Sequence, residues 1–155
     1  MVFHLVAVGR VRQAGLRQAC DAYERRCARY FSFRVHELPE AKQANTSTGI
    51  QGEERDVVLR RVPKSARRVG LSRAGVSYTS RELAARIEHW REEARDVAFI
   101  VGGAYGLHED VLSTCDELLA LSTMTFPHEL ARLLLLEQIY RSGTLLRNEP
   151  YHKGD

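Results

Sequence analysis

Two short stretches carry the residue types best suited to chemistry. Gly102-Gly103-Ala104-Tyr105-Gly106 closes an apolar run, Val97–Val101, and precedes a short helical pattern. Glycines at a strand end let backbone approach a ligand closely, and the amides that follow can donate to its polar atoms. The spacing is not the G-x-G-x-x-G dinucleotide fingerprint, and the turn follows a late strand rather than the first. A tight turn with positive φ accounts for the same residues. In the second stretch, Leu121-Ser122-Thr123-Met124-Thr125-Phe126-Pro127, hydroxyls from Ser122, Thr123 and Thr125 stand over an apolar bed of Leu121, Met124 and Phe126. That mixture suits an adenine ring and ribose, which need apolar walls and a few placed hydrogen bonds. A strand-to-helix turn with satisfied hydroxyls is the plainer alternative.

Further on, leucines at 130, 133, 134, 135 and 136, then Ile139 and Tyr140, cover nearly the whole circumference of a helix. Such a helix is expected to be buried on more than one side, against its own sheet and a partner subunit. Its polar residues are fewer. Glu137 and Arg141 stand four apart, the spacing of an ordinary helical ion pair. Gly143 is read as the helix stop, which leaves 144–155 as a tail ending in Pro150-Tyr151-His152-Lys153. An aromatic, an imidazole and a cation could stack on and bind RNA, and disorder is the alternative fate of such a tail.

The elements that must position these stretches alternate. Phe3–Val8 is a nearly continuous apolar run closed by Gly9, as in a strand buried on both faces. A helix is predicted over 15–30, with Leu16, Ala19, Cys20, Tyr23 and Cys27 on one face and arginines on the other. A second strand follows over 33–38 and ends at Pro39. Residues 40–49 lack an apolar anchor and read as a flexible loop. A helix over 50–62 stops before Pro63. A weak third strand, 69–71, runs into a turn-like tip at 72–75. Thr79-Ser80-Arg81-Glu82 is a capping box opening a helix through Leu83, Ile87 and Trp90. The run Val97–Val101, a short helix over 109–115, a last strand over 118–121, and the long helix starting at Pro127 with Glu129 near its positive end complete the pattern. The alternation predicts a single α/β domain over 1–155, with a mainly parallel sheet flanked by helices. In such a fold the two chemistry-bearing strand ends share the carboxyl edge, where open sheets place their ligands.

Composition narrows the class. At 155 residues, the chain can bury a core without disulfides or metals. No apolar run approaches the roughly 20 residues of a bilayer span. The chain opens with the strand-like FHLVAVG and no signal-peptide pattern, so a cytoplasmic protein with no membrane partner is expected. Cys20, Cys27 and Cys115 lack C-x-x-C spacing and are expected to be buried thiols, and no close His, Cys and carboxylate cluster suggests a metal. Of 23 basic residues all but Lys42, Lys64 and Lys153 are arginine. Arginine suits phosphate contacts, but a formal net charge of +3 does not establish nucleic-acid binding.

IVGGAYGLHEDVL, LSTMTFPHELARLLLLEQIYR and the PYHK segment, with the LVAVG start and the Tyr23-Glu24-Arg25-Arg26 helix, resemble the ribosomal RNA large subunit methyltransferase H family of the SPOUT methyltransferases. The resemblance runs the whole length and is strongest over the last third. It implies an α/β fold with a C-terminal trefoil knot, working as a homodimer. It implies S-adenosylmethionine (S-adenosyl-L-methionine) as methyl donor, and N3 of a pseudouridine in helix 69 of 23S rRNA, within the assembled 70S ribosome, as acceptor. Carried over by position, the cofactor contacts would be Leu71, Gly102, Gly103, Leu121, Ser122, Thr123, Met124, Thr125 and Phe126. The motifs offer His128, Glu137, Arg141, Tyr151 and His152 for catalysis, the tail 144–155 completing the active site of the other subunit. The chain departs from the family at Ser72, where homologues commonly carry an acid, and at Val76, where a lysine would follow Gly75. A nucleotide-binding α/β protein and a non-catalytic ribosome-binding dimer are the competing readings.

Overall fold

Period-two alternation in the central strands decides which residues meet which helices. The structure, a computed structural model, describes residues 1–42 and 44–151. Its elements are β1 (Phe3–Val8), α1 (Ala14–Cys27), β2 (Phe33–Leu38), α2 (Ser47–Arg61), β3 (Arg67–Ser77), α3 (Ser80–Glu92), β4 (Val97–Val101), α4 (Glu109–Leu112), β5 (Glu117–Ala120) and α5 (His128–Leu146). The five strands form one sheet in the order β2-β1-β4-β3-β5, every pair parallel. β1 and β4 are buried along their whole lengths. Phe3, Leu5 and Ala7 of β1, with Val97, Phe99 and Val101 of β4, face a core shared with α1, α3 and α5. Val6, Val8, Ala98 and Ile100 face the opposite core with Val58 of α2 and Val111 of α4. Helices therefore cover both faces, as a parallel sheet requires. Trp90 meets Phe99 edge-on at 5.9 Å between ring centroids, an orientation suited to ring quadrupoles.

Several boundaries differ from the sequence reading for identifiable reasons. The segment 72–75 is not only a turn tip. β3 continues through it, with its pairing to β5 shifting between Leu71 and Val76. A Cβ on Gly75 would lie 2.5 Å from the carbonyl carbon of Leu118, so only glycine allows this approach. Nor is 40–49 loop throughout. α2 begins at Ser47, with Thr46 Oγ1 accepting from Gly49 N at 3.1 Å. Lys42 N donates to Glu53 Oε2 at 3.1 Å, which ties the preceding segment to the same helix.

The largest correction concerns Gly143. It does not stop α5, which runs on to Leu146. A Cβ at Gly143 would sit 2.5 Å from the Tyr30 ring, so this glycine serves close packing against α1's exit turn. The stop comes at Asn148, whose φ of 54° places it in the left-handed region after the last turn. Residues 144–146 thus belong to the helix and not to a tail. Pro127 is the N-cap of α5 rather than its first helical residue. The capping box forms as read: Thr79 Oγ1 accepts from Glu82 N at 3.2 Å, and Glu82 Oε2 accepts from Thr79 N at 2.7 Å. Cys20 and Cys27 are buried free thiols, and Cys115 is only half-buried. Among the described residues no helix is long and apolar enough to cross a membrane, and no group of three or more His, Cys, Asp or Glu could hold a metal ion.

Candidate active site

β4, β3 and β5 lie side by side, so their carboxyl ends share one edge of the sheet. There Val101 leads into Gly102 and Gly103, Leu71 pairs in register with Leu119, and Leu121 follows β5. Between them opens a cleft of about 980 Å³. Leu71, Gly102, Gly103, Leu121, Ser122, Met124, Thr125 and Phe126 line it, whereas Thr123 is not among the lining residues. Neighbouring positions join them: Ser72, Arg73, Tyr105, Leu107 and, from the first turn of α5, His128.

The glycine turn is held from behind. Gly106, at φ 77°, donates to Gly103 O at 3.0 Å. A Cβ on Gly102 would meet the Gly106 carbonyl carbon at 2.5 Å, so this residue must be glycine for the turn to fold back. α2 supplies the backing. Gln51 Nε2 donates to Tyr105 O at 2.8 Å, and a Cβ on Gly103 would lie 2.9 Å from Glu54 Oε2. Glu54 is 5% exposed, and burial pushes its carboxyl above the ordinary glutamate range. Gln51 and Glu54 escaped the sequence reading, because a polar residue on a helix gives no sign of which backbone it will meet.

The opposite wall is looser. Met124 is 70% exposed, and Met124 N donates to Ser122 Oγ at 3.0 Å within its own turn. Arg73 Nη1 reaches across from β3 to donate to Thr125 Oγ1 at 3.2 Å, which links the two walls.

The catalytic candidates fall into two groups. His128 stands at the cleft, its Nε2 buried without a partner. Glu137, Arg141 and Tyr151 form a second cluster further along α5. Glu137 Oε1 accepts from Arg141 Nε at 3.0 Å and from the Tyr151 hydroxyl at 3.3 Å. Tyr151 also shares a hydrogen bond of 3.1 Å with the Tyr23 hydroxyl and packs edge-on against Tyr140 at 4.6 Å. Burial raises the Tyr151 phenol's pKa, reinforced by the bond to Tyr23 and the charge of Glu137. His128 and Glu137 stand nine positions apart on α5, about 14 Å at 1.5 Å per residue. Within one chain the structure therefore does not bring the second cluster to the cleft. His152, the remaining candidate, and Lys153 lie outside the described residues.

A model of the family described as predicted SPOUT methyltransferases matches residues 1–152. The chain belongs to that family. Among its relatives, ribosomal RNA large subunit methyltransferase H of Anaeromyxobacter dehalogenans (strain 2CP-1 / ATCC BAA-258) is 44% identical over 99% of this chain and 100% of its own length. The enzyme of that name from Gemmatimonas aurantiaca is 41% identical over 96% of this chain and 97% of its own. The family resemblance seen in the sequence thus holds over nearly the full chain. In fold, this SPOUT chain is similar to a probable methylase family protein from Haemophilus influenzae (TM-score 0.57, 12% identity, 98% of this chain and 70% of that one). A putative methylase family protein from Neisseria gonorrhoeae is comparable (TM-score 0.54, 12% identity, 99% and 86%).

Proposed function

We propose that this chain transfers a methyl group from S-adenosylmethionine to N3 of a pseudouridine in helix 69 of 23S rRNA, acting on the assembled 70S ribosome in the cytoplasm. The observation that carries the reading is the cleft at the ends of β3, β4 and β5, in a SPOUT chain whose near full-length relatives bear the name of a large-subunit rRNA methyltransferase. The residues fit the donor. Leu71, Leu121, Met124 and Phe126 offer apolar walls for a purine, while Ser122, Thr125 and the turn at Gly102 and Gly103 offer polar groups for a ribose. Bound there, the donor supplies an electrophilic methyl on a sulfonium.

The remaining requirements fall on the chain: to align donor and acceptor, to exclude water, and to ease the proton off N3. His128 stands nearest to that task. Glu137, Arg141, Tyr151 and His152 serve it from a second subunit, whose tail reaches the cleft of the first. Leu130, Leu134 and Leu145 favour such a homodimer, since each is left only half-buried on α5. A trefoil knot is part of the same reading. β5 lies at the sheet edge beyond β3 while α5 packs against both α1 and α3, which supports a return of the chain over the sheet after β5.

Methyl incorporation into ribosomes lacking the modification tests the proposal, with protein-free rRNA alongside. Incorporation into ribosomes, mapped to N3 of a helix 69 pseudouridine, is expected. Absence of incorporation alongside intact ribosome binding would favour the non-catalytic dimer. Removing residues 151–155 should abolish methylation while donor binding stays within about twofold, since the tail meets substrate rather than donor. Unchanged turnover in that truncation removes the tail from the mechanism.

A further inference from the structure

The cleft has an unusual charge inventory. No aspartate, glutamate or lysine lines it, and Arg73 carries its single permanent charge among the described residues. Elsewhere arginines are absorbed by carboxylates: Arg67 by Glu93, Arg86 by Glu117, Arg132 by Glu24 and Glu37. Among the described residues no carboxylate pairs with Arg73, and its guanidinium donates to the neutral hydroxyl of Thr125. A guanidinium has five N–H donors in a planar fork. Thr125 takes one of them, which holds the group over the cleft mouth and leaves the rest for an anion.

Resting on the donor reading above, we infer that the Arg73 guanidinium takes the carboxylate of the donor's amino-acid tail. The adenosyl half has its apolar bed at Leu121, Met124 and Phe126, on the wall where Thr125 also stands. The amino-acid half then needs a charged partner within the same cleft, and the lining residues offer one. An arginine–carboxylate pair of fork geometry is directional as well as attractive, so it would fix the direction in which the sulfonium methyl points. Arg73 is a binding and positioning residue in this scheme, and no proton moves through it.

Calorimetric titration of the full-length protein with S-adenosylhomocysteine, and with its decarboxylated analogue, tests the inference. Arg73→Ala should weaken S-adenosylhomocysteine about tenfold or more, the worth of one charge-assisted pair, and leave the decarboxylated compound within about twofold of wild type. Arg73→Lys should recover part of the loss. Equal weakening of both compounds would mean that Arg73 only braces Thr125, and would overturn the inference. So would unchanged titrations with a raised KM for ribosomes, which would assign Arg73 to an RNA phosphate. Wild-type protein binding neither compound would sink the donor reading itself, an outcome distinct from wild-type binding that ignores Arg73.

Discussion

At the carboxyl edge of the sheet Arg73 is exposed, holds one neutral hydroxyl and, among the described residues, shares its cleft with no carboxylate. At the junction of α1, β2 and α5, Arg132 is 3% exposed, with Nη1 2.8 Å from Glu37 and Nη2 3.0 Å from Glu24. The two arginines have the same chemistry and opposite circumstances. A charge taken out of water must be paired inside the protein, so Arg132 is committed to the fold. A charge left at the rim keeps its hydration and its free donors, so Arg73 is available to a ligand.

Substitution at the junction should have the largest effect. Arg132→Ala leaves Glu24 unpaired beside a cavity while Glu37 keeps Arg17 at 2.6 Å, and should cost about 3 kcal/mol in denaturant melts. A loss near zero would erase the contrast between the two sites. Gly143→Ala is sharper, because two effects of opposite sign compete. Helix propensity alone favours alanine by about 1 kcal/mol. Overlap with the Tyr30 ring should reverse that and leave a net loss of about 1–2 kcal/mol. A stabilised variant would mean that Tyr30 swings aside freely.

A milder effect is expected with pH, at a third cluster on β1 and β2. His4 Nδ1 stands 3.0 Å from His36 Nε2, whose ring also meets Arg61 through Nδ1 at 2.6 Å. Burial, then the positive charges of Arg61, His4 and Arg34, lower the His36 pKa from 6.5 to about 4. Burial likewise lowers His4, against the opposing pull of Asp96. The unfolded chain therefore takes up these protons first. Their contribution to stability is complete above pH 6.5 and is lost as pH falls towards about 4. His36→Asn should flatten the fall of melting temperature across that window, and an unaltered slope would clear the pair of responsibility. The smallest effect belongs to the rim. Arg73→Ala should change stability by less than about 0.5 kcal/mol, whatever it does to binding.

Much of this arrangement was legible beforehand. Continuous or nearly continuous apolar runs marked β4 and β1, and the Thr79–Glu82 spacing marked the start of α3, because both depend on neighbours in the chain. The glycine pair and the hydroxyl-rich loop flagged the ligand edge for the same local reason. Gly143 misled, because a glycine that ends a helix and one that admits a tyrosine ring look identical in one dimension. Arg73 was no more than part of a turn until Thr125 stood opposite it, 52 positions along the chain.

What the sequence determined by itself was thus the set of elements, their caps, the faces of the central strands and, through its motifs, the family. Those properties come from periodicity and from contacts within a few residues. Only the tertiary structure decided the strand order β2-β1-β4-β3-β5, the continuation of β3 through its irregular pairing, and the backing of the glycine turn by Gln51 and Glu54. It also decided which arginine would be buried among carboxylates and which left free at the cleft. Each of those outcomes depends on residues brought together from distant parts of the chain, and no local pattern encodes the meeting.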